Sequence, residues 1–252
     1  MTFLRSLLFM ASLIAMTPPF IVVLLLLAWL PKRQLRRLSM IWVDTAIWLI
    51  RHLLGIDYRL IGAENIPNRS CVILSKHQSA WETIVLQRIF AWTSFVYKRE
   101  LHWLPFFGWG LYLMPFVAID RAAGKDALNR LATRGKQRLD DGYSVIIFPE
   151  GTRMAPGSKG RYKIGGAYLA AKAGAPAVPV ALNSGEFWRR KAFMKRPGTV
   201  TVSIGPPIAP DGLSAEDINR RAEAWIESEM QRISPDLYRK HETTQSSAGA
   251  AA

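Results

Sequence analysis

The chain has 252 residues and a formal net charge of +14; half of its residues are hydrophobic, and its single cysteine is Cys71. One cysteine excludes an internal disulfide, and this length predicts one domain with appended helices. The excess of lysine and arginine favours anionic partners, namely nucleic acid, an acidic membrane surface or phosphorylated substrates. The sequence has no zinc-finger spacing, RNA-recognition aromatic motif or basic region with heptads, so we predict no nucleic-acid partner.

The first element is an uncharged, strongly apolar run at residues 6–31. As an unbroken helix it would extend about 39 Å, enough to cross a bilayer. Pro18 and Pro19 lie in its middle and predict a kink or a break, so the segment either spans with a kink or dips in and returns. A cleaved signal peptide is the alternative, but the run is too long and lacks a clear small-x-small cleavage site.

Positive charge follows this run directly. Arg5 alone precedes it, whereas four cations come after it: Lys32, Arg33, Arg36 and Arg37. Such an excess predicts that the bulk of the chain lies on the cytoplasmic side of a membrane.

A second apolar segment covers residues 38–56, with a narrow polar stripe that includes Asp44 and His52. Trp42 and Trp48 suit an interfacial position, so the segment is interpreted as a membrane-interface helix. An ordinary helix packed on the domain is the alternative. We therefore assign residues 1–56 to N-terminal membrane-associated helices.

From residue 57 onward, short apolar runs alternate with helical patterns. The predicted strands are 71–75, 95–97, 115–119, 144–148, 177–182 and 199–204, and the predicted helices are 79–90, 125–140, 165–173 and 214–233. This alternation predicts an α/β fold with a mixed, largely parallel sheet flanked by helices. We take residues 57–238 as the catalytic domain and expect a disordered tail at 239–252.

Catalytic groups in such sheets lie at the carboxyl ends of strands. His77, Arg121 and Arg153 each follow a predicted strand, so we expect them to meet at one edge of the sheet.

His77 and Glu82 form a candidate catalytic dyad. A histidine removes a proton from an alcohol when a carboxylate holds the ring and stabilises its protonated form. The same stretch fits another interpretation, because Ser79 followed by Glu82 three residues later is also a capping-box pattern.

A tight turn at residues 149–151 places Arg153 on a rigid support, where its guanidinium matches phosphate oxygens. A solvated surface arginine is the alternative. Arg121 is a second candidate anion ligand, and the loop 157–166 adds Lys159, Arg161 and Lys163, which either hold an anionic group or are solvated.

Between these motifs lies an aromatic-rich stretch: Trp103, Phe106, Phe107, Trp109, Tyr112 and Phe116. These side chains either line an acyl-chain groove, rest in a membrane interface or belong to the core. No Gly-x-Ser-x-Gly motif is present, and Cys71 lies inside a strand-like run. The four histidines lack metal-ligand spacing, so we predict no metal and no cofactor. A base without a nucleophile of its own indicates direct transfer between two substrates.

Four blocks of the chain, in order, resemble the glycerolipid acyltransferase family, specifically its bacterial 1-acyl-sn-glycerol-3-phosphate acyltransferases. They are His77 to Glu82, similar to the family's His-x4-Asp block, Lys98 to Arg121, Phe148-Pro149-Glu150-Gly151-Thr152-Arg153, and Val178-Pro179-Val180. The departure from the family is glutamate at position 82 in place of aspartate.

The resemblance implies that His77 takes the proton of the sn-2 hydroxyl of lysophosphatidate as that oxygen attacks an acyl thioester, while Glu82 orients the ring. It implies that Arg153, with Arg121 and Lys98, holds the phosphate, and that Glu150, Gly151 and Thr152 belong to the same binding site. The implied partners are acyl-CoA or acyl carrier protein as donor, lysophosphatidate and membrane lipids. The implied location is the bacterial inner membrane, with the catalytic domain on its cytoplasmic side.

Two alternative functions stay open at this point. In the first, the protein catalyses the same transfer, but the acceptor is another lysophospholipid or a hydroxylated amino-lipid. In the second, the protein binds anionic lipid through its basic surface without catalysis.

Overall fold

A computed structural model of the chain describes residues 1–120 and 123–238. Its helices are α1 (Thr2–Leu26), α2 (Lys32–Leu49), α3 (Trp81–Ile89), α4 (Phe107–Leu113), α5 (Gly124–Asp140), α6 (Gly165–Ala173) and α7 (Ala215–Ile233). Its strands are β1 (Ile56–Ile61), β2 (Val72–Ser75), β3 (Thr93–Lys98), β4 (Val117–Ile119), β5 (Ser144–Ile147), β6 (Ala177–Leu182) and β7 (Gly198–Ile204). A π-helical turn, Ile50–Leu54, extends α2 up to Gly55, whose positive φ of 66° ends the helix.

Within the described residues, these strands form one sheet in the order β1-β7-β6-β2-β5-β3-β4. The β6–β7 pair is antiparallel, and the other neighbours pair in parallel. The predicted fold class, a largely parallel mixed sheet flanked by helices, is confirmed.

The six predicted strands and the four predicted helices are present, with ends shifted by up to two residues. Ser214 caps α7 as expected, because its hydroxyl accepts the N–H of Asp217. Two elements were not predicted, β1 and α4.

Alternate residues of the central strands point to opposite faces of the sheet. On β2, Ile73 packs in a core with α1, α2 and α3, whereas Val72 and Leu74 pack in a second core with α5, α6 and α7. The sheet, whose edge carries the candidate site residues, is therefore buried on both faces.

Helix α1 corrects the expectation of a break at the proline pair. The helix runs without interruption from Thr2 to Leu26 and includes Pro18 and Pro19. It is long and apolar enough to cross a membrane by length and composition, although it packs against the domain at both ends. Near its start Ser6 Oγ accepts the N–H of Lys195 at 3.0 Å. Near its end, residues of α1 and α4 join in a small apolar cluster.

The cations after α1 belong to helix α2 and contact the domain. Arg36 is buried and donates to the carbonyl and the hydroxyl of Thr93. The guanidinium groups of Arg33 and Arg37 lie 4.8 and 5.8 Å from the ring centre of Trp92. These contacts tie α2 to the start of β3, and the orientation relative to a membrane stays a prediction.

The second apolar segment combines the two interpretations offered for it. Val43, Ile50 and Leu54 are buried in the core, as in an ordinary packed helix. Ile41 and Trp48 remain more than half exposed. The tail predicted at residues 239–252 lies outside the described residues.

Candidate active site

The carboxyl ends of four parallel neighbours, β2, β5, β3 and β4, lie at one edge of the sheet. His77 follows β2, Glu150 follows β5, and Lys98 is the last residue of β3. Arg121 comes after β4 but lies outside the described residues. The topology thus gathers the predicted motifs at a single edge.

His77 and Glu82 are in direct contact. The Nδ1 atom of His77 is 2.9 Å from Oε1 of Glu82, and the carboxylate is fully buried. Helix α3 begins at Trp81, so the preceding loop turns the imidazole back onto the first turn of the helix. The longer glutamate therefore reaches the ring in this chain.

The Glu82 carboxylate also organises the loop around it. Oε1 accepts the backbone N–H groups of Gln78 and Ser79, each at 2.7 Å. Oε2 lies 2.7 Å from the hydroxyls of Ser79 and Ser184. The capping interpretation is realised as well, because Glu82 accepts the N–H of Ser79 and Ser79 Oγ accepts the N–H of Trp81 at 2.9 Å at the start of α3.

These hydrogen bonds decide the protonation of the pair. Burial pushes the pKa of Glu82 upward, but the hydrogen bonds from His77, Ser184 and Ser79 outweigh burial, and the pKa lies below the ordinary value of a glutamate. The ionised carboxylate accepts hydrogen bonds only, so Nδ1 of His77 carries the hydrogen. The Nε2 lone pair is then free to accept a proton from a bound hydroxyl.

Phe148 fixes the plane of the imidazole. Its ring stacks on His77 with 3.9 Å between ring centres and an angle of 16° between the planes. Because Glu82 holds one ring nitrogen and Phe148 holds one ring face, the direction of Nε2 is set before any substrate binds.

The Glu150 carboxylate forms hydrogen bonds with other groups of the protein. Its side chain is fully buried, with Oε1 2.8 Å from Lys76 Nζ and Oε2 accepting the N–H of His77 at 3.2 Å. Burial raises the pKa of Glu150, and the Lys76 ammonium opposes that rise. The sequence-based prediction placed Glu150 among the substrate-binding residues, and that role stays a prediction; the contacts described above are to Lys76 and to the backbone of His77.

Lys76 was not predicted to have a role. Its fully buried ammonium lies 2.8 Å from Glu150 and 2.8 Å from Glu227 of α7. Tyr162 also donates to Glu227 at 2.8 Å. The available signal was a lysine between a buried strand and a candidate base, since a buried lysine requires anionic partners.

Arg153 lies beside the dyad. The next residue, Met154, donates its N–H to the carbonyl of His77 at 2.7 Å, and Arg153 itself is half-buried. Gly151 has a positive φ of 68°, and a side chain there would meet the end of Lys163. Lys163 is therefore a further cation at this turn, while Lys159 pairs with Glu223 of α7.

Two other predicted binding residues, Lys98 and Thr152, are exposed at the same edge. An exposed position leaves each side chain able to contact a substrate. No contact in the described residues links either side chain to His77, so their role stays a prediction.

The aromatic stretch is divided between two environments. Trp103, Trp109 and Tyr112 are 86%, 45% and 72% exposed, which excludes the core interpretation for them. Phe107 and Phe116 line an apolar cavity of about 110 Å³ between α1, α2 and α4, and Phe107 is also 46% exposed.

Comparison with known proteins agrees with this arrangement. The sequence profile of the acyltransferase family matches residues 57–183, which include His77, Glu82 and Arg153. The chain belongs to the acyltransferase family. The resemblance found in the four sequence blocks is thereby confirmed.

Individual relatives of this acyltransferase cover most of the chain. A 1-acyl-sn-glycerol-3-phosphate acyltransferase of Pseudomonas aeruginosa is 48% identical over 197 residues, covering 77% of this chain and 77% of that protein. Human 1-acyl-sn-glycerol-3-phosphate acyltransferase alpha is 30% identical over 172 residues, which are 67% of this chain and 61% of the human protein. The chain thus spans about three-fifths of that relative's length.

A solved structure shares the fold. The crystal structure of the 1-acyl-sn-glycerophosphate (LPA) acyltransferase PlsC from Thermotoga maritima superposes with a TM-score of 0.75. The match covers 92% of this chain and 98% of that chain at 24% sequence identity.

Proposed function

We propose that this acyltransferase transfers an acyl group from a thioester to the sn-2 hydroxyl of 1-acylglycerol-3-phosphate, producing phosphatidic acid for phospholipid biosynthesis. The observation that carries the proposal is the contact between His77 Nδ1 and the buried Glu82 carboxylate, 2.9 Å, in a chain of this family. The names of the Pseudomonas and human relatives support the choice of acceptor.

In the proposed reaction, the acceptor oxygen attacks the thioester carbonyl carbon while His77 Nε2 takes the hydroxyl proton. The C–S bond then breaks, and the departing sulfur receives the proton from the imidazolium and leaves as a thiol. Glu82 stabilises the imidazolium between these steps by charge and by its hydrogen bond. The donor is acyl-CoA or acyl carrier protein, and the net charge of +14 favours either, because both are anionic.

We assign the binding of the acceptor phosphate to the cations at the edge of the sheet where the parallel strands have their carboxyl ends. Arg153 follows the turn after β5, Lys163 lies against Gly151 in that turn, and Lys98 ends β3. The family motif adds Arg121. A guanidinium offers phosphate two parallel hydrogen bonds, so Arg153 is proposed as the principal ligand.

The proposed location is the cytoplasmic face of the bacterial inner membrane, with α1 embedded along one leaflet. Leu4, Leu7 and Leu8 on α1 are between 44% and 58% exposed, which suits lipid contact. Contacts to the domain at both ends of α1, through Ser6 and Ile21, favour a helix parallel to the membrane plane over one that crosses it.

The reaction is tested by measuring thiol release from acyl-CoA and from acyl carrier protein with the purified, detergent-solubilised chain. Lysophosphatidate and glycerol-3-phosphate are compared as acceptors. We expect turnover with lysophosphatidate only, and a fall on the order of 10²–10⁴ in His77→Ala, since general-base catalysis contributes that much.

His52→Ala is the matched control. His52 is exposed and stacks on Trp48, away from the dyad, so this variant should keep full activity. Undiminished transfer by a folded His77→Ala protein would reject the mechanism, and turnover with a different lyso-lipid alone would reject the acceptor.

A further inference from the structure

Residues 188–196 connect the 3-10 turn Ser184–Glu186 to β7, and we call this segment the basic loop. Its nine residues include five cations: Arg189, Arg190, Lys191, Lys195 and Arg196. Lys195 is buried, and its ammonium donates to the carbonyl of Phe193 at 2.7 Å. The other four cationic side chains are exposed.

The same loop presents apolar side chains to solvent. Phe193 is 40% exposed and Met194 is 57% exposed. An isolated exposed apolar residue is ordinary, but two adjacent ones within a cluster of cations form an amphipathic surface.

The basic loop is fastened to the start of α1. The ring centre of Phe193 lies 5.3 Å from that of Phe3, and Trp188 packs edge-on against Phe9, also at 5.3 Å. The N–H of Lys195 donates to Ser6 Oγ at 3.0 Å. The exposed apolar surface of the loop therefore continues the exposed apolar surface of α1.

The other side of the loop reaches the candidate active site. The guanidinium of Arg190 donates to the carbonyl of Arg153 at 3.1 Å. One short segment thus contacts both the apolar helix and the turn that carries the proposed phosphate ligand.

We propose that the basic loop docks on an anionic lipid surface beside α1. Phe193 and Met194 enter the apolar layer, while Arg189, Lys191 and Arg196 lie among the negatively charged headgroups. In the described residues no carboxylate pairs with these three cations, so their charge is available to headgroups. A bilayer is favoured over a soluble acidic protein because the exposed apolar residues adjoin those of a helix with membrane length and composition.

The contribution expected from the three cations is large enough to measure. A basic residue near an anionic leaflet contributes roughly fivefold in affinity, so three contribute on the order of 100-fold. The attraction is electrostatic and is screened by salt, whereas insertion of Phe193 and Met194 is not.

The docking is tested on the full chain with a fluorophore at Met194→Cys, read by acrylamide quenching. Selective labelling is feasible because Cys71 is buried and burial raises the pKa of its thiol. The protein is reconstituted in phosphatidylcholine vesicles with and without phosphatidylglycerol. We expect a several-fold fall in quenching when phosphatidylglycerol is present.

Ser228→Cys is the matched labelling site, because Ser228 is exposed on α7, on the opposite face of the sheet. Its quenching should not depend on the lipid. The readout needs no catalysis, so the docking and the proposed acyl transfer can fail independently.

A charge-removal variant addresses the cations themselves: Arg189→Gln, Lys191→Asn and Arg196→Gln. Asparagine is chosen at 191 because Lys191 has a positive φ of 62°, which asparagine tolerates. We expect this variant to lose the protection of the label at 194 in anionic vesicles.

The matched control removes three exposed cations from α5 and α6: Arg130→Gln, Lys136→Gln and Lys172→Gln. It has the same net charge as the loop variant and should retain the protection. Equal quenching at 194 and 228 in anionic vesicles would overturn the proposal. Protection at 194 that arises with soluble acidic acyl carrier protein, and not with vesicles, would overturn it in favour of a protein partner.

Discussion

At the scale of single residues, the candidate site depends on one carboxylate. Glu82 receives hydrogen bonds from the ring of His77, from two backbone N–H groups at 78 and 79, and from the hydroxyls of Ser79 and Ser184. The loop is therefore folded around the length of a glutamate side chain, although the family resemblance leads one to expect aspartate.

We predict that Glu82→Asp lowers kcat, even though aspartate is the residue that the family resemblance leads one to expect at this position. Shortening the side chain by one methylene withdraws the carboxylate from several partners at once, and a misplacement of about 1 Å can cost on the order of 10²-fold. Steady-state kinetics should show the loss in kcat with little change in the KM for the acceptor. Glu64→Asp, at an exposed glutamate after β1, is the control. A kcat equal to that of the wild type would mean that the loop adapts to either carboxylate.

At the scale of elements, helix α7 contacts the candidate site although its contact residue lies 151 positions beyond Lys76 along the chain. It contributes Glu227, which lies 2.8 Å from the buried ammonium of Lys76, next to the proposed base. Lys76 in turn contacts Glu150, which holds the backbone N–H of His77. Helix α7 and the loop that carries His77 are therefore linked through one buried ionic network.

We predict that Glu227→Gln lowers the free energy of unfolding by about 1.5–3 kcal/mol, the usual contribution of a hydrogen bond to a charged group. Glu223→Gln, one turn earlier, should cost at most about 1 kcal/mol, because its partner Lys159 is largely exposed. Denaturant titration of the detergent-solubilised proteins measures both. Equal losses of unfolding free energy in the two variants would show that the buried contact of Glu227 with Lys76 is no stronger than the exposed pair of Glu223 with Lys159.

At the scale of the whole molecule, the N-terminal segment and the catalytic domain share a core. Phe9 of α1 is fully buried and belongs to the same hydrophobic cluster as Leu54, Trp81 and Ile204, which come from other parts of the chain. The boundary at residue 56 stays a prediction about function, because the packing is continuous across it.

We predict that Phe9→Ala costs about 3–5 kcal/mol of unfolding free energy, as expected for a large buried aromatic side chain. Leu8→Ala, at the neighbouring 48% exposed position, should change stability by no more than about 0.5 kcal/mol. Thermal and denaturant unfolding in one detergent compares the two directly. Similar small losses would instead indicate that α1 detaches from the domain without unfolding it.

Local patterns were sufficient for most of the fold. Buried parallel strands appear as short apolar runs and are bounded by turn residues, which is why β2, β5 and β6 were predicted closely. Strand β1 was missed because Asp57 and Arg59 interrupt its apolar residues, and its first residue, Ile56, was assigned to the preceding segment. Helix α4 was missed because it has seven residues, two of them glycine.

Individual side-chain contacts in the candidate site were predictable only where the two residues are close in sequence. His77 and Glu82 are five positions apart, and a helix start between them brings the side chains together. Glu227 and Ser184 are more than 100 positions from their partners in the site. No local periodicity specifies such pairs, since they are fixed by the order of strands and by the packing of α7 on the sheet.

The docking of α1 along the domain has an energetic consequence for a lipid-modifying enzyme. Withdrawing an acyl chain from a bilayer into water costs about 0.8 kcal/mol for each methylene, so lifting a whole lipid to a distant site is prohibitive. In the proposed position along a leaflet, a helix fixed to the domain near Ser6 and near Ile21 would hold the proposed base at a constant height above the lipid surface. The proposed acceptor would then need only to raise its headgroup and glycerol, while most of its tail stays in the leaflet from which it came.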